Sequence, residues 1–231
     1  AVFLAKSGRP GPVFLDIPSD VLGASINEEN LKDFDPTYEN LQKSRSTNLM
    51  EEVDKAIALM KKAKRPIIFA GHGINLAKAR EQFIQLIEQL GIPVATAMSA
   101  HDLIPSSHPL FAGRPGVFGD RGGNFAIQNA DLLISIGARH HLWNISYNYK
   151  AFARVAKKIV VDIDEAELRK KTLIPDLPIQ ADAKEFIEEL IKRTKGADLP
   201  NVSEWVSTCN RWREKYPVVL PEYKTEKKYV N

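Results

Sequence analysis

Short apolar runs alternate with segments of helical periodicity between residues 66 and 193, and this alternation restricts the possible folds more than any other feature. Each apolar run is continuous, as in strands that are buried on both faces of a parallel sheet. The runs are "RPIIFAGHG", "IPVATAM", "DLLISIG", "KKIVVDID" and "LPIQAD". The helical segments include "NLAKAREQFIQLIEQLG", whose end is marked by Gly91, and "AKEFIEELIKR". The pattern predicts an α/β fold, a Rossmann-like doubly wound parallel sheet with right-handed crossovers.

The segments on either side of this alternation predict the domain organisation. Apolar residues recur at helical spacing over residues 48–62, before the alternation. Within the alternation, residues 99–123 are rich in glycine and are interpreted as a loop. A further helix carries Trp205, Cys209 and Trp212, and a proline-broken tail follows it. We therefore expect a linker at residues 23–47, a central Rossmann-like domain at residues 48–196, and a helix with a linker at residues 197–231.

The stretch "SGRPGPVFLDIPSDV" near the start of the sequence has the pattern of an isolated strand. Residues 12–17 form an apolar run that Pro18 stops, because proline cannot continue a hydrogen-bonded ladder. Nothing earlier in the sequence could supply a neighbouring strand. We therefore expect residues 1–22 to be the last strand of a domain whose remainder lies outside this sequence, so that the chain is a fragment of a longer protein.

The charge of the chain is nearly balanced, with 32 basic and 29 acidic residues spread along it. This balance argues against a nucleic-acid or acidic-membrane partner. No stretch reaches the roughly 20 apolar residues that cross a bilayer, so no membrane association is predicted. Cys209 is the single cysteine, which excludes an internal disulfide and disfavours a thiolate zinc site. We expect a cytoplasmic protein in which no residue binds a metal.

The first candidate binding loop is "GHGIN", directly after the first strand of the alternation. Ligands of doubly wound sheets bind beyond the carboxyl ends of the strands. Gly71 and Gly73 would allow the backbone to approach a phosphate, but Leu76 stands where the third glycine of a dinucleotide fingerprint belongs. No acidic residue ends the second strand to hold a ribose. A tight structural turn and a phosphate site both remain open for this loop.

The second candidate loop is "IGARHH", after the strand "DLLISIG". Arg139 could reach a phosphate or a carboxylate from a strand end. His140 and His141 suggest a metal site, but adjacent side chains usually point in different directions and chelate poorly. The alternative is a solvated loop.

The third candidate group consists of aspartates at strand ends. Asp162 and Asp164 end "KKIVVDID" and could accept the hydroxyl groups of a ribose. Asp164 could equally cap a helix over residues 165–171, and Asp182 is open to the same two interpretations. The sequence has no nucleophile elbow, no Walker lysine motif and no defensible triad, so no catalytic residue is predicted.

An ordered set of motifs resembles the thiamine diphosphate-dependent enzymes of the acetolactate synthase family. The motifs are "GRPGPVFLDIPSDV", "RPIIFAGHG", "LGIPVATAM", "NADLLISIGAR", "IVVDIDEAEL" and "LPIQADAKEFIEEL". By this resemblance residues 1–22 correspond to the N-terminal, pyrimidine-binding domain, the bulk of the chain to the central domain, and the tail to the connection towards the C-terminal, diphosphate-binding domain. The resemblance implies that thiamine diphosphate and Mg²⁺ are bound in a parent enzyme by parts absent from this chain, which alone is inactive.

The resemblance also implies a flavin site. Carried over position by position, the FAD contacts of true acetolactate synthases would fall on Gly71, His72, Gly73, Ala97, Met98, Gly113, Gly137, Arg139, Asp162, Asp164 and Asp182. The sequence departs from the family where "RHHLWN" replaces an arginine, aromatic, two acids, arginine pattern, and where "AGRP" replaces a leucine, glycine, methionine, histidine run. FAD binding and an empty or differently occupied pocket are therefore both open.

Three functions follow as hypotheses. The leading one is the central, non-catalytic domain of a homodimeric or homotetrameric transferase or lyase, acting as a carboligase or decarboxylase on a 2-oxo acid or an acyl-coenzyme A thioester. The second is a free-standing nicotinamide-dependent Rossmann oxidoreductase. The third is an interaction or assembly module without a ligand.

Overall fold

A computed structural model describes residues 1–7, 10–38 and 48–225 of the chain. The chain divides into two compact units, Ala1–Lys43 and Ser44–Asn231. Among the described residues, no helix combines the length and the apolar composition that a bilayer crossing requires.

The described helices and strands follow one another in the order of the predicted alternation. They are α1 Val2–Lys6, α2 Ser19–Leu22, α3 Leu49–Met60, β1 Pro66–Ala70, α4 Gly73–Leu76, α5 Arg80–Leu90, β2 Val94–Thr96, β3 Phe111–Gly113, α6 Arg121–Asn129, β4 Leu132–Ile136, α7 Leu142–Ile145, β5 Lys157–Asp162, α8 Glu165–Leu168, β6 Leu177–Gln180, α9 Ala183–Thr194 and α10 Ser203–Lys215. Short 3₁₀ helices lie at Glu28–Asn30, Pro36–Tyr38, Tyr149–Ala151 and Pro221–Thr225.

The second unit is built on a six-stranded sheet in the order β3-β2-β1-β4-β5-β6, and every pair of neighbouring strands is parallel. In the register of the sheet, Ile68 in β1 pairs with Val94 in β2 and with Ile134 in β4. The strand order reverses between β1 and β4, which makes the carboxyl ends of these two strands the topological switch point. The predicted doubly wound α/β sheet is confirmed.

The strands are buried because helices cover the sheet. All five residues of β1 and all five of β4 are buried, in agreement with their continuous apolar sequences. One group of helices packs α9 against α5 and α3, and another packs α10 against α6 and β3. The indole N–H of Trp205 in α10 donates to the carbonyl of Pro66, 2.9 Å away, at the start of β1. Gly91 ends α5 with a φ of +62°, as its position in the sequence predicted.

The apolar run at residues 12–17 is not a strand in this structure. Phe14 and Leu15 are largely exposed. A strand requires a neighbour to complete its hydrogen-bonded ladder, and the described part of the first unit contains no other strand. The sequence prediction is wrong for the local structure of this run, while its place in a larger domain is not tested.

A strand that the sequence analysis missed, β3, lies inside the predicted loop at residues 99–123. Its three residues are buried at the edge of the sheet, where α6 and α10 cover them. A run of three residues carries no detectable periodicity, and glycine and proline follow it, so the sequence had the appearance of a loop. Residues 39–47 of the predicted linker and residues 226–231 of the predicted tail lie outside the described residues.

Candidate functional site

The glycines at the switch point bring two backbone segments into direct contact. The N–H of Gly71, after β1, donates to the carbonyl of Ile136 at 2.9 Å, and the N–H of Gly73 donates to the carbonyl of Gly137 at 3.0 Å. A Cβ atom on Gly71 would lie 2.1 Å from the carbonyl oxygen of Gly137, and a Cβ atom on Gly73 would lie 2.7 Å from the Cα of Gly137. Of the two interpretations of "GHGIN", the tight structural turn is therefore the one observed. His72 lies exposed between the two glycines, at the start of α4.

The loop after β4 contains a buried histidine. His140 has a φ of +48°, is 5 % exposed, and places its Nε2 2.7 Å from the Oγ of Ser135 in β4. Its ring packs between Phe69 and Phe152, with ring centroids 5.5 and 5.9 Å away. Burial, followed by the nearby charge of Lys170, lowers the pKa of His140 to about 3, so the ring is neutral at physiological pH. The interpretation of this loop as solvated is wrong for His140.

The next residue, His141, has a local structural role. Its Nδ1 accepts a hydrogen bond from the backbone N–H of Trp143 at 3.2 Å and thereby caps α7. The side chain of His140 is buried and that of His141 is exposed, so the two neighbouring histidines lie in different environments. Among the described residues, no group of three or more His, Cys, Asp or Glu side chains could hold a metal ion.

Arg139 pairs with an acidic side chain of the chain itself. Its Nε and Nη2 donate to Oε1 of Glu167 at 2.9 and 2.7 Å, and Lys170 bonds both Glu167 and the carbonyl of Arg139. Burial acts to raise the pKa of Glu167, but the hydrogen bonds from Lys170 and Arg139 outweigh it and hold the pKa below its ordinary value. The arginine that could have met a phosphate is therefore engaged in an internal ion pair.

Two of the three aspartates at the strand ends act as helix caps. Asp164 accepts from the N–H of Ala166 at 2.9 Å, and Asp182 accepts from the N–H of Lys184 at 2.8 Å. Asp162, which is 5 % exposed, accepts from the N–H of Asp164 at 3.0 Å. The capping interpretation, left open by the sequence, is thus observed for Asp164 and Asp182.

The remaining predicted contact residues lie after β2 and in β3. Ala97 is buried and donates its N–H to the carbonyl of Ala70 at 2.9 Å. Gly113 has a φ of +123°, and a Cβ on it would lie 2.4 Å from Oδ1 of Asp120, so only glycine fits there. Met98 is 43 % exposed and is the only residue of the predicted set that lines the large cavity described next.

A cavity of about 540 Å³ opens beyond the carboxyl ends of β2 and β3. Its wall comes from the loop after β2, the segment from β3 to the first residue of α6, Trp143 in α7, and the end of α10 with the residues that follow it. The wall includes the cationic and aromatic side chains of Arg114, Phe118, Arg121, Trp143 and Lys215. These residues were not predicted as a site from the sequence, because they come from a region interpreted as a loop and from distant elements. The segment "RPGVFGDR" combines two arginines with an aromatic residue, but nothing in the sequence indicates that Trp143 lies beside it.

The residues carried over for FAD do not fit that group without rearrangement. The N–H groups of Gly71 and Gly73, which would face a pyrophosphate, already donate to backbone carbonyls. Arg139 is paired with Glu167, and Asp164 and Asp182 cap helices. FAD binding, which the sequence left open, is a question for a titration.

Comparison with known protein families identifies the class of protein to which this fold belongs. The model of the family described as "Thiamine pyrophosphate enzyme, central domain" matches residues 53–190. This match covers more than half of the chain and contains β1 to β6. The chain belongs to the family of thiamine pyrophosphate enzyme central domains, and the resemblance stated from its motifs is confirmed.

Individual relatives are similar to this chain over most of its length. The chain is 37 % identical over 220 residues to a probable acetolactate synthase large subunit of Methanococcus aeolicus, covering 90 % of this chain and 36 % of the relative. It is 36 % identical over 220 residues to the acetolactate synthase large subunit of Corynebacterium glutamicum, covering 94 % of this chain and 34 % of the relative. It is 30 % identical over 229 residues to the acetolactate synthase large subunit of Cyanidium caldarium, covering 96 % of this chain and 38 % of the relative. The chain thus spans about a third of the length of these relatives.

Proposed function

We propose that the chain is the central, non-catalytic domain of a thiamine diphosphate-dependent carboligase or decarboxylase of the acetolactate synthase type, acting on 2-oxo acids. The observation that supports this most strongly is the family match over residues 53–190, which coincides with the sheet. The similarity to acetolactate synthase large subunits over most of the chain supports the substrate class. In such an enzyme thiamine diphosphate would supply the carbanion chemistry, from sites outside this chain.

The internal bonding of the carboxyl edge supports a structural role. At the switch point the polar groups of Gly71, Gly73 and Arg139 bond to the chain itself. An edge bonded in this way holds its shape without a ligand, as a rigid spacer requires. The family match gives no support to a free-standing nicotinamide oxidoreductase.

The flanking segments would join this spacer to the rest of the parent enzyme. We assign residues 1–22 to the pyrimidine-binding domain, residues 23–47 to a linker, residues 48–196 to the central domain, and residues 197–231 to the connection towards the diphosphate-binding domain. The exposed side chains of Phe14 and Leu15 are consistent with a strand that pairs only in the parent. The parent would be a cytoplasmic, Mg²⁺-dependent homodimer or homotetramer. Analytical ultracentrifugation of the parent would measure its oligomeric state.

A domain exchange tests the assignment. Residues 48–196 of this chain would replace the matching segment of the Corynebacterium glutamicum acetolactate synthase large subunit, and acetolactate formation from pyruvate would be measured. We expect the exchanged enzyme to be active, and the purified 231-residue chain to be inactive with added thiamine diphosphate and Mg²⁺. An exchanged enzyme that folds and binds thiamine diphosphate but forms no acetolactate would contradict the assignment, as would activity of the chain alone.

A flavin titration tests the cofactor of this domain. We expect the purified chain to be colourless and to leave FAD fluorescence unchanged, because the groups that would contact FAD are bonded internally. Retained or titratable FAD would instead assign a flavin to the domain, and Arg139→Gln would then weaken its binding.

A further inference from the structure

Little of the helix α10 is buried against the sheet. Of its thirteen residues only Trp205 and Cys209 are buried, whereas five of the twelve residues of α9 are buried. The helix packs against α6 and against β3, the edge strand of the sheet. A helix that buries so little apolar surface gains little free energy from packing, so its hydrogen bonds decide how firmly it stays in place.

Arg213 of α10 takes the position of a missing strand neighbour at β3. Directly before β3, the carbonyl of Leu110 accepts the N–H of Val94 in β2 at 2.7 Å. Because successive carbonyls of a strand point to opposite sides, the carbonyl of Phe111 points away from β2. Nη1 of Arg213 donates to this carbonyl at 2.8 Å, and the guanidinium lies 5.0 Å from the centre of the Phe111 ring. Arg213 therefore satisfies an edge carbonyl that has no strand partner.

Two further hydrogen bonds fasten the end of α10 to the segment before β3. Nη2 of Arg213 donates to the carbonyl of Ser106, and Nδ2 of Asn210 donates to the carbonyl of Pro109 at 3.1 Å. Both side chains are partly exposed, so water can replace these bonds at a modest cost in free energy. Together with the bond to β3, they tie residues 106–111 to the end of α10.

The strand β3 is shorter and less regularly paired than the inner strands. It has three residues, and its pairing with β2 shifts register between Val94 and Ala95. By contrast, all five residues of β1 pair in continuous register with β4. At the other end of α10, the indole N–H of Trp205 donates to the carbonyl of Pro66 in β1 at 2.9 Å. That bond fixes the start of α10 to an inner strand, whereas its end is fixed only to the edge.

We propose that α10 is a strap whose end opens together with β3 and the segment before it, while the other five strands remain folded. The opening unit consists of residues 106–113 and residues 210–215, and Trp205 is the fixed point about which the strap moves. Opening breaks the bonds of Arg213 and Asn210 and the pairing of β3 with β2. Because Lys215 lines the 540 Å³ cavity, the same opening moves one wall of that cavity.

The opening is a property of this chain and does not depend on the proposed function. Under that function residues 197–231 lead towards the diphosphate-binding domain, so the strap would connect the position of that domain with the wall of the cavity. The two proposals can fail separately. Absence of the opening in the isolated chain would overturn the strap alone, whereas a failed domain exchange would contradict the assigned function alone.

Native-state hydrogen exchange of the 231-residue chain, followed by mass spectrometry, tests the proposal. The exchange rate of a protected amide reports how often its segment opens. We expect residues 106–113 and 210–215 to share one opening equilibrium constant, about tenfold or more above that of β1 and β4. Arg213→Met removes the donors and keeps an apolar stem. It should speed exchange in both segments by about tenfold or more and leave β1 and β4 unchanged.

Arg211→Met is the matched control. Arg211 also lies in α10 and is exposed, and its Nη2 donates to Oγ1 of Thr208 in the same helix at 2.9 Å. This variant should exchange like the unchanged chain. Asn210→Ala removes the bond to Pro109 and should speed exchange in the same two segments by a smaller factor. It keeps the test available if Arg213→Met does not fold.

Three results would overturn the proposal. Equal opening constants for residues 106–113, residues 210–215, β1 and β4 would show that α10 is released only when the whole sheet unfolds. Faster exchange in only one of the two segments of Arg213→Met would show that they do not open as one unit. Equal acceleration by Arg211→Met and Arg213→Met would show that the bonds of Arg213 do not hold the strap closed.

Discussion

The side chain of His140 lies in an apolar niche and bonds to Ser135, and this single residue links the loop after β4 to the sheet. Its backbone occupies the left-handed region, which costs a residue with a Cβ about 1 kcal/mol or more. The contacts of its ring offset that cost. The sequence left a metal site and a solvated loop open for His140 and did not predict its burial.

The depressed pKa of His140 predicts a pH-dependent stability. The charged ring is disfavoured in the folded chain, where its pKa is about 3 against an ordinary value of 6.5, so the unfolded chain binds the additional proton between these values. Stability conferred by the neutral ring is complete above pH 6.5 and is lost as the pH falls towards 3, by at most about 1.4 kcal/mol per pH unit. Urea titrations across this range would measure it.

A comparison of slopes isolates the contribution of His140. His140→Gln should flatten the decline of the unfolding free energy below pH 6.5. Equal slopes in the unchanged chain and in His140→Gln would contradict the prediction.

The contact between Gly71 and Gly137 predicts a second effect at the residue scale. Gly71→Ala would place its methyl group 2.1 Å from the Gly137 oxygen, a distance that forces the two backbones apart. We expect a loss of about 3 kcal/mol of unfolding free energy, measured by urea denaturation. Gly11→Ala is the matched control, because no atom lies within 4 Å of the added methyl group. A stable Gly71→Ala variant would show that the switch point is looser than the structure describes.

At the scale of elements, most strands and helices were predictable because their signals are local. The apolar runs of β1 and β4 and the amphipathic spacing of α5 and α9 are legible in the sequence, and each of these elements formed. The failures were at residues 12–17 and at β3. In both cases the deciding factor is a strand neighbour, which is contributed by distant residues and leaves no mark within the run itself.

The N-terminus of α9 provides a prediction for an element. Asp182 accepts from the N–H groups of Lys184 and Glu185, so Asp182→Ala should lower the unfolding free energy by about 1 kcal/mol. Asp182→Asn, which keeps an acceptor oxygen, should cost little. Chemical denaturation of the three proteins would measure both effects. If Asp182→Asn were as damaging as Asp182→Ala, the side chain would have a role other than capping.

At the scale of the whole molecule, the core lies in the second unit. Among the described residues, the contiguous buried cluster extends from Val53 to Cys209 and lies within the second unit. The second unit therefore carries its own core, whatever the first unit contributes. The cavity with its aromatic and cationic walls also belongs entirely to the second unit.

A deletion tests this independence. Removal of residues 1–43 should leave a chain that unfolds in one cooperative transition, with the same urea midpoint as the main transition of the full chain, because the core is intact. Circular dichroism and tryptophan fluorescence should report that transition together. A lowered midpoint would mean that the first unit stabilises the second.

The sequence by itself determined the class of fold, the order of its principal strands and helices, and the resemblance to the thiamine diphosphate enzymes. These follow from local periodicity and from motif order, which are properties of consecutive residues. Only the tertiary structure decided that Gly71 closes on Gly137, that Asp164 and Asp182 cap helices, and that Arg139 pairs with Glu167. It alone brought Phe118, Trp143 and Lys215 to one cavity, because their meeting depends on how distant segments cross the edge of the sheet.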